Sequence, residues 1–300
     1  MRLQQQEPMF GRFPNVHFRA PTMEELRQQP TFEALPPAAA VALAGTASAR
    51  YVRQDDALWG ELHAGVLTTG LVRSALGLYE KGAVKKGTGG GWGVSEEAKL
   101  RKARTLGSLG LLSICCSWGS AQEAASLVQV AAAFPGSQLA EVGLCRLQEA
   151  LLPPAWGEEH LPLWALSKGR QAAHVKQFAV ADRGPRMVVP PEWVPQLQLH
   201  MLCADTPSGL LISRSATKGA RIFRMRRDDE LLRCMLQVIS RLWVEHVLAG
   251  RPPPPDAFAN WHVHHDMLRR IGESARGAEL VAVLEEGQHL PPGDPRFFLD

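Results

Sequence analysis

Glu123, in the stretch WGSAQEAASL, is a carboxylate set among apolar residues at helical spacing. With Glu123 at zero and about 100° per residue, Leu127, Val130 and Phe134 lie within about 40° of it. Two readings stand: a first-turn acid favoured by the helix dipole with its end in water, or an inward-facing metal ligand. Gln198, in VPPEWVPQLQLHML, raises a similar question. On a helix starting near Trp193, the residues Val194, Met201 and Leu202 fall within about 60° of Gln198, whereas Gln196 points the other way into solvent. The apolar face thus holds an amide. A buried amide needs partners, so Gln198 either bonds to neighbouring backbone or lines an internal polar site.

Basic side chains cluster in two places. Segment 81–104, KGAVKKGTGGGWGVSEEAKLRKAR, carries Lys85, Lys86, Arg101, Lys102 and Arg104, with Lys81 and Lys99, against Glu96 and Glu97. Such density beside glycines suits contact with a phosphate backbone, where each neutralised phosphate releases counterions. The other reading is a solvated helix face begun by a Ser95 cap. It is not a phosphate-binding P-loop, because Gly87 is followed by Thr88 and no G-K-[ST] occurs. The second cluster is Lys218, Arg221, Arg224, Arg226 and Arg227, read either as a solvated basic edge strand that resists aggregation or as a phosphate contact. His262 to Asp266, HVHHD, superficially suggests a metal site, but adjacent histidines point apart on a helix. No G-x-S-x-G elbow or dinucleotide fingerprint occurs.

The chain around these residues has 300 positions, 45% of them apolar, enough for one large or two modest globular domains. Its 33 basic and 30 acidic residues leave a net charge of +3, too mild to announce a nucleic-acid partner without local clustering. Five cysteines, an odd number without C-x-x-C spacing, fit a reducing compartment. No run of about 18 apolar residues occurs, and the amino terminus lacks an apolar signal region, so the expectation is a soluble intracellular protein with no membrane partner. The compartment is open, nucleus and organelle included.

The elements that position the chemistry can be read coarsely. Residues 1–40, rich in Gln, Pro and Arg, read as an irregular arm outside the core. The stretch SWGSAQEAASLVQVAAAF reads as a helix, PGS as a break, and LAEVGLCRL as strand-like. LLISRS and ARIFRM read as two strands joined by ATKG, with Gly219 supplying permissive backbone. From about Asp228 to Leu248, Leu232, Met235, Leu236, Ile239, Leu242 and Trp243 repeat at three and four residues, predicting a helix with one face on a core. Gly250 and RPPPP stop it. Residues 251–300 then read as a proline-rich linker and a C-terminal appendage.

Taken in order, the G-x-x-x-E of Gly119 and Glu123, the EVGL from Glu141, and the Q-x-Q-x-x-M of Gln196, Gln198 and Met201 followed by a hairpin resemble the YqaJ-type viral recombinase family. That family is similar to lambda exonuclease and belongs to the PD-(D/E)XK nucleases. The resemblance covers residues 41–250. It implies an α/β fold, a mixed sheet flanked by helices with a restriction-endonuclease-like PD-(D/E)XK core. It also implies metal-dependent hydrolysis of DNA in recombination or repair, Mg²⁺ or Mn²⁺ as cofactor, linear duplex DNA ends as partner, 5′-to-3′ polarity and assembly into a homo-oligomer. By the same resemblance Glu123 binds metal, Lys176 positions the attacking water and Gln198 borders the catalytic centre.

The sequence departs from the family where the metal is held. LPLWALSKGRQAAHVKQF stands where the family writes an aspartate turn and then E-x-K, and the closest register puts Lys168 at the aspartate, His174 at the glutamate and Lys176 at the lysine. An ammonium in place of a carboxylate reverses the local charge and removes a hard oxygen ligand. The spacing is short as well: two strands of about five residues and their turn need roughly a dozen positions. Lys168 and His174 are six apart. Glu158, Glu159 and Asp182 are the nearest acids that would substitute, and Lys168 would alternatively contact a phosphate. The expectation is therefore either a weakened nuclease or a DNA-binding or scaffold protein derived from one; an interaction module without a DNA role is the third reading.

Overall fold

The computed structural model describes residues 184–284 apart from 205, 215–218, 248, 250–252 and 255–256, together with parts of 23–33, 43–59, 72–78 and 123–145. In chain order its elements are α1 (Met23–Arg27), β1 (Phe32–Glu33), β2 (Leu43–Ala44), β3 (Ala49–Arg50), β4 (Leu139–Ala140), β5 (Leu144–Cys145), α2 (Val194–Cys203), β6 (Ser208–Arg214), β7 (Ala220–Arg226), α3 (Asp229–Leu242), α4 (His262–Arg276) and β8 (Glu279–Leu284). A 3-10 turn, Pro191–Trp193, leads into α2, and a π-helical turn, Trp243–Val247, closes α3.

Proline suits the start of α2, where the backbone N–H has no intrahelical acceptor anyway. Every residue of α2 except Gln196 is buried, so this helix runs through the core rather than along its surface. The chain returns as the β6–β7 hairpin, with Ile212 opposite Ile222 and Ser213 opposite Arg221. Gly219, at φ 90, occupies the left-handed region that side chains avoid. Gly209 is required for closeness: a Cβ there would meet Leu197 Cδ1 at 2.8 Å, so β6 lies directly on α2. Asp228 then starts α3 as its N-cap, its Oδ1 accepting from Leu231 N at 2.9 Å. The periodic residues of α3 are buried as their spacing predicts, with Trp243 half-buried beyond its end.

β6, β7 and β8 form an antiparallel sheet covered on both faces. Leu211, Phe223 and Met225 face α2, α3 and α4 in the main core, which includes Leu199, Met235, Phe258, Met267 and Ile271. Ile212 and Ile222 face the other way, onto Val130, Ala133 and Phe134 of the stretch whose described residues between 123 and 133 are helical. Phe134 N–H donates to Val130 O at 3.0 Å. The class is mixed α/β, helices on a small antiparallel sheet. Further back, β1 pairs in parallel with β4, and β3 lies antiparallel between β2 and β5.

Three expectations need correction. Residues beyond the proline run are no appendage: Phe258, His264, Met267 and Ile271 are fully buried, and β8 is the third strand of the sheet. RPPPP ends a helix, yet α4 buries its apolar face in the main core, and β8 sets Val281 and Ala282 against the Val130, Ile212 and Ile222 cluster. Consequently the basic strand ARIFRM is no edge; β7 is central, and Arg224 reaches across to Glu279 Oε2 at 2.8 and 3.1 Å. Within the amino-terminal arm, α1 and β1 are regular. Leu26 is buried there, and Arg27 donates twice to Glu141 at 2.9 Å, which ties this segment to the residue after β4.

Candidate functional site

Gln198 is fully buried, and both ends of its amide are engaged by backbone. Nε2 donates to Arg226 O at 2.9 Å, and Oε1 accepts from Asp228 N at 2.9 Å. These are the last residue of β7 and the cap of α3. Of the two readings of this amide, bonding to backbone is the one observed, and its partners are remote in sequence rather than neighbouring. The glutamine thus ties α2 to the junction of β7 and α3, where Arg227 N also donates to Pro207 O at 2.9 Å. Asp228 is held further by Arg270, Nη1 to Oδ1 at 3.6 Å, which brings α4 to the same corner.

Glu123 is 8% exposed. It lies seven residues before Val130 on the same helical face, and Val130 packs on Ile212 and Ile222. A wet first-turn acid would be more exposed, so the inward orientation is the observed one. Ser126, one turn on, is also buried. Sequence inspection missed Arg214, a guanidinium only 5% exposed at the end of β6. Strand alternation puts it on the Ile212 face of the sheet. Its signal was available, since LLISRS places an arginine two residues from an inward isoleucine.

The opposite face of the hairpin gathers a second polar group. Arg186 N–H donates to Ser213 Oγ at 2.8 Å, and Arg221 Nη1 donates to Pro185 O at 3.3 Å. The hairpin cations are thus largely engaged: Arg221 on a carbonyl, Arg224 on Glu279, and Arg227 on Asp229 at 2.9 Å. Arg226 is exposed. Phosphate contact by this cluster would require those pairs to open. Lys85, Lys86, Arg101, Lys102 and Arg104 lie outside the described residues, as do Lys168, His174, Lys176, Lys218, Glu158, Glu159 and Asp182.

HVHHD forms the first turn of α4 and splits as helical geometry requires. His264 is fully buried and His262 and His265 are exposed. Among the described residues, no group of three or more His, Cys, Asp and Glu side chains is arranged to hold a metal ion. Cys234 is a buried thiol whose pKa is raised above the ordinary value, first by burial. Reactive cysteines are shifted the other way.

Mg²⁺ prefers near-octahedral oxygen coordination. Glu123 offers oxygen, but Lys168 and His174 do not, and the Gln198 carbonyl oxygen already accepts from Asp228 N. Of the positions that the resemblance assigns to the metal, two thus bring nitrogen where the ion prefers oxygen. Among the described residues no helix is long and apolar enough to cross a membrane. Comparison of the chain with family models, with curated proteins and with solved structures returns no match.

Proposed function

We propose that the chain carries a YqaJ-type, lambda-exonuclease-like domain of the PD-(D/E)XK class, that it binds linear duplex DNA in recombination or repair, and that its inherited metal-dependent hydrolysis is impaired. One observation supports this reading above the others. The helix bearing Glu123 and the helix bearing Gln198, 75 residues apart in sequence, pack on one hairpin sheet in the order of the motifs, but on its opposite faces, so Gln198, whose amide is taken up by Arg226 O and Asp228 N, stands apart from Glu123. Impairment follows from the substituted positions, a lysine and a histidine standing where the family writes carboxylates. DNA contact falls to Lys85, Lys86, Arg101, Lys102 and Arg104, whose charge is less offset by local acids than that of the hairpin. Assembly into a homo-oligomer belongs to the same proposal.

The test follows end-labelled linear duplex DNA with purified protein in Mg²⁺ or Mn²⁺, beside Glu123→Gln, with binding titrated at two salt concentrations. Salt-sensitive binding with little or no cleavage is expected, the affinity falling with log[salt] in proportion to the phosphates contacted. Strong cleavage lost in Glu123→Gln would restore the active-nuclease reading and require another carboxylate to complete the site. Absence of binding at low salt would overturn both and leave a protein-interaction module.

A further inference from the structure

We propose that His264 is a proton-sensitive latch that holds segment 72–78 against α4 at neutral pH and releases it on mild acidification. The inference does not depend on the DNA reading. His264 is fully buried, its ring stacked on Phe258 with centroids 4.2 Å apart and planes 18° apart. Its Nε2 lies 3.0 Å from Leu76 O, across 188 positions of sequence. A carbonyl can only accept, so Nε2 carries the proton and donates. Nδ1 is then a buried lone pair, and it has no hydrogen-bond partner. Protonation would place a charged N–H there with nothing to receive it, the most costly state for a buried polar atom.

Surrounding charges do not relieve this. Asp266 on α4 is two residues further round the helix, exposed, and paired with Arg269 at 3.6 Å. Arg270 is held by Asp228, and on the π-helical turn Glu245 is held by Arg241 and lies 4.0 Å from His246. Segment 72–78 itself brings Arg73 and no acid, and the 3-10 turn brings Glu192. His265, with its ring 6.4 Å away, adds to the bias against a second positive charge. Burial is the largest cause of a pKa held below the ordinary histidine value, the Leu76 hydrogen bond opposing it. A lowered folded-state value means the latch is complete above the unfolded pKa of about 6.5 and weakens as pH falls below it.

What the latch holds is substantial: Val72 and Leu76 are buried in the main core with Leu78, and the turn is closed by Leu76 N to Val72 O at 2.8 Å and Leu78 N to Arg73 O at 2.9 Å. Those two amides report the latch directly. Hydrogen exchange on the full chain, corrected for intrinsic rates, should show their protection falling between about pH 7.5 and 5.5, by at most about tenfold, while amides of α3 hold theirs. His264→Gln keeps a donor for Leu76 O but does not titrate, and should abolish the drop. An unchanged drop in that variant, or none in the wild type, overturns the proposal. Should the variant not fold, NMR titration of the His264 ring in the wild-type chain decides: a midpoint below the ordinary value supports the latch, and one at or above it refutes it.

Discussion

Gln198→Met tests whether the buried amide is a structural clamp. Methionine keeps the side-chain length and apolar contact but can neither donate to Arg226 O nor accept from Asp228 N, both 2.9 Å away in the native chain. A buried backbone group stripped of its partner costs about 1–3 kcal/mol, and two are stripped, so the loss should be about 2–5 kcal/mol. That is a large share of a domain's usual stability of roughly 5–15 kcal/mol. Urea unfolding followed by tryptophan fluorescence suits the question, because Trp193 is buried in the turn that leads into α2. With a slope of about 2–3 kcal/mol/M the midpoint should fall by about 1–2 M. Gln198→Glu sharpens the test: an ionised carboxylate still accepts from Asp228 N but cannot donate to Arg226 O, and it can do so again once protonated. Its deficit should shrink as pH is lowered. A loss below about 0.5 kcal/mol in the methionine variant, within the range of ordinary surface substitutions, would refute the clamp.

Other perturbations follow from the same packing. Deletion of residues 251–300 removes α4 and β8, and with them Phe258, Met267 and Ile271, so the remainder should be digested rapidly in limited proteolysis and show no cooperative unfolding. Ile222→Ala, at a fully buried position facing Val130, should cost about 2–5 kcal/mol in denaturant unfolding. Two ion pairs should differ: Glu141→Gln, opposite an Arg27 side chain 5% exposed, should cost about 1–3 kcal/mol. Glu279→Gln, in a pair whose members are 60% and 50% exposed, should cost less than about 1 kcal/mol.

Much of the local structure was legible because it depends on local rules. The spacing from Leu232 to Leu242, the prolines before Val194 and the Gly219 turn each specify an element without reference to the rest of the chain. The partners of those elements were not legible. Gln198 could be recognised as inward-facing from its neighbours, yet its acceptor and donor, Arg226 and Asp228, lie beyond a hairpin whose return path periodicity does not encode. The proline run after Gly250 was read as a boundary because proline stops helices; it says nothing about where the next helix docks. Met267, Leu268, Ile271 and Ala275 carried the sign of a packed face, and ELVAVL the sign of a strand, but HVHHD drew attention to metal chemistry instead. The buried histidine in that motif serves the core, through a carbonyl 188 positions away. For the candidate site, the angle of Glu123 to Val130 put it on the apolar face but left open whether its carboxylate reached water, which its burial decides, whereas the buried Arg214 required knowing that both faces of the sheet are covered.

The position of β7 between β6 and β8 also sets an order of events during synthesis. β7 leaves the ribosome well before β8, with α3 and α4 in between. Until β8 arrives, one side of ARIFRM presents an open row of N–H and C=O groups, the kind of template on which other chains pair. Arginines at 221, 224 and 226 punctuate that interval with positive charge, and in the finished sheet Arg224 turns to Glu279. Arg224, which ends as the partner of Glu279 across the strands, would thus serve earlier as a guard against pairing with a neighbour, and a chain interrupted before residue 279 would keep the exposed edge permanently.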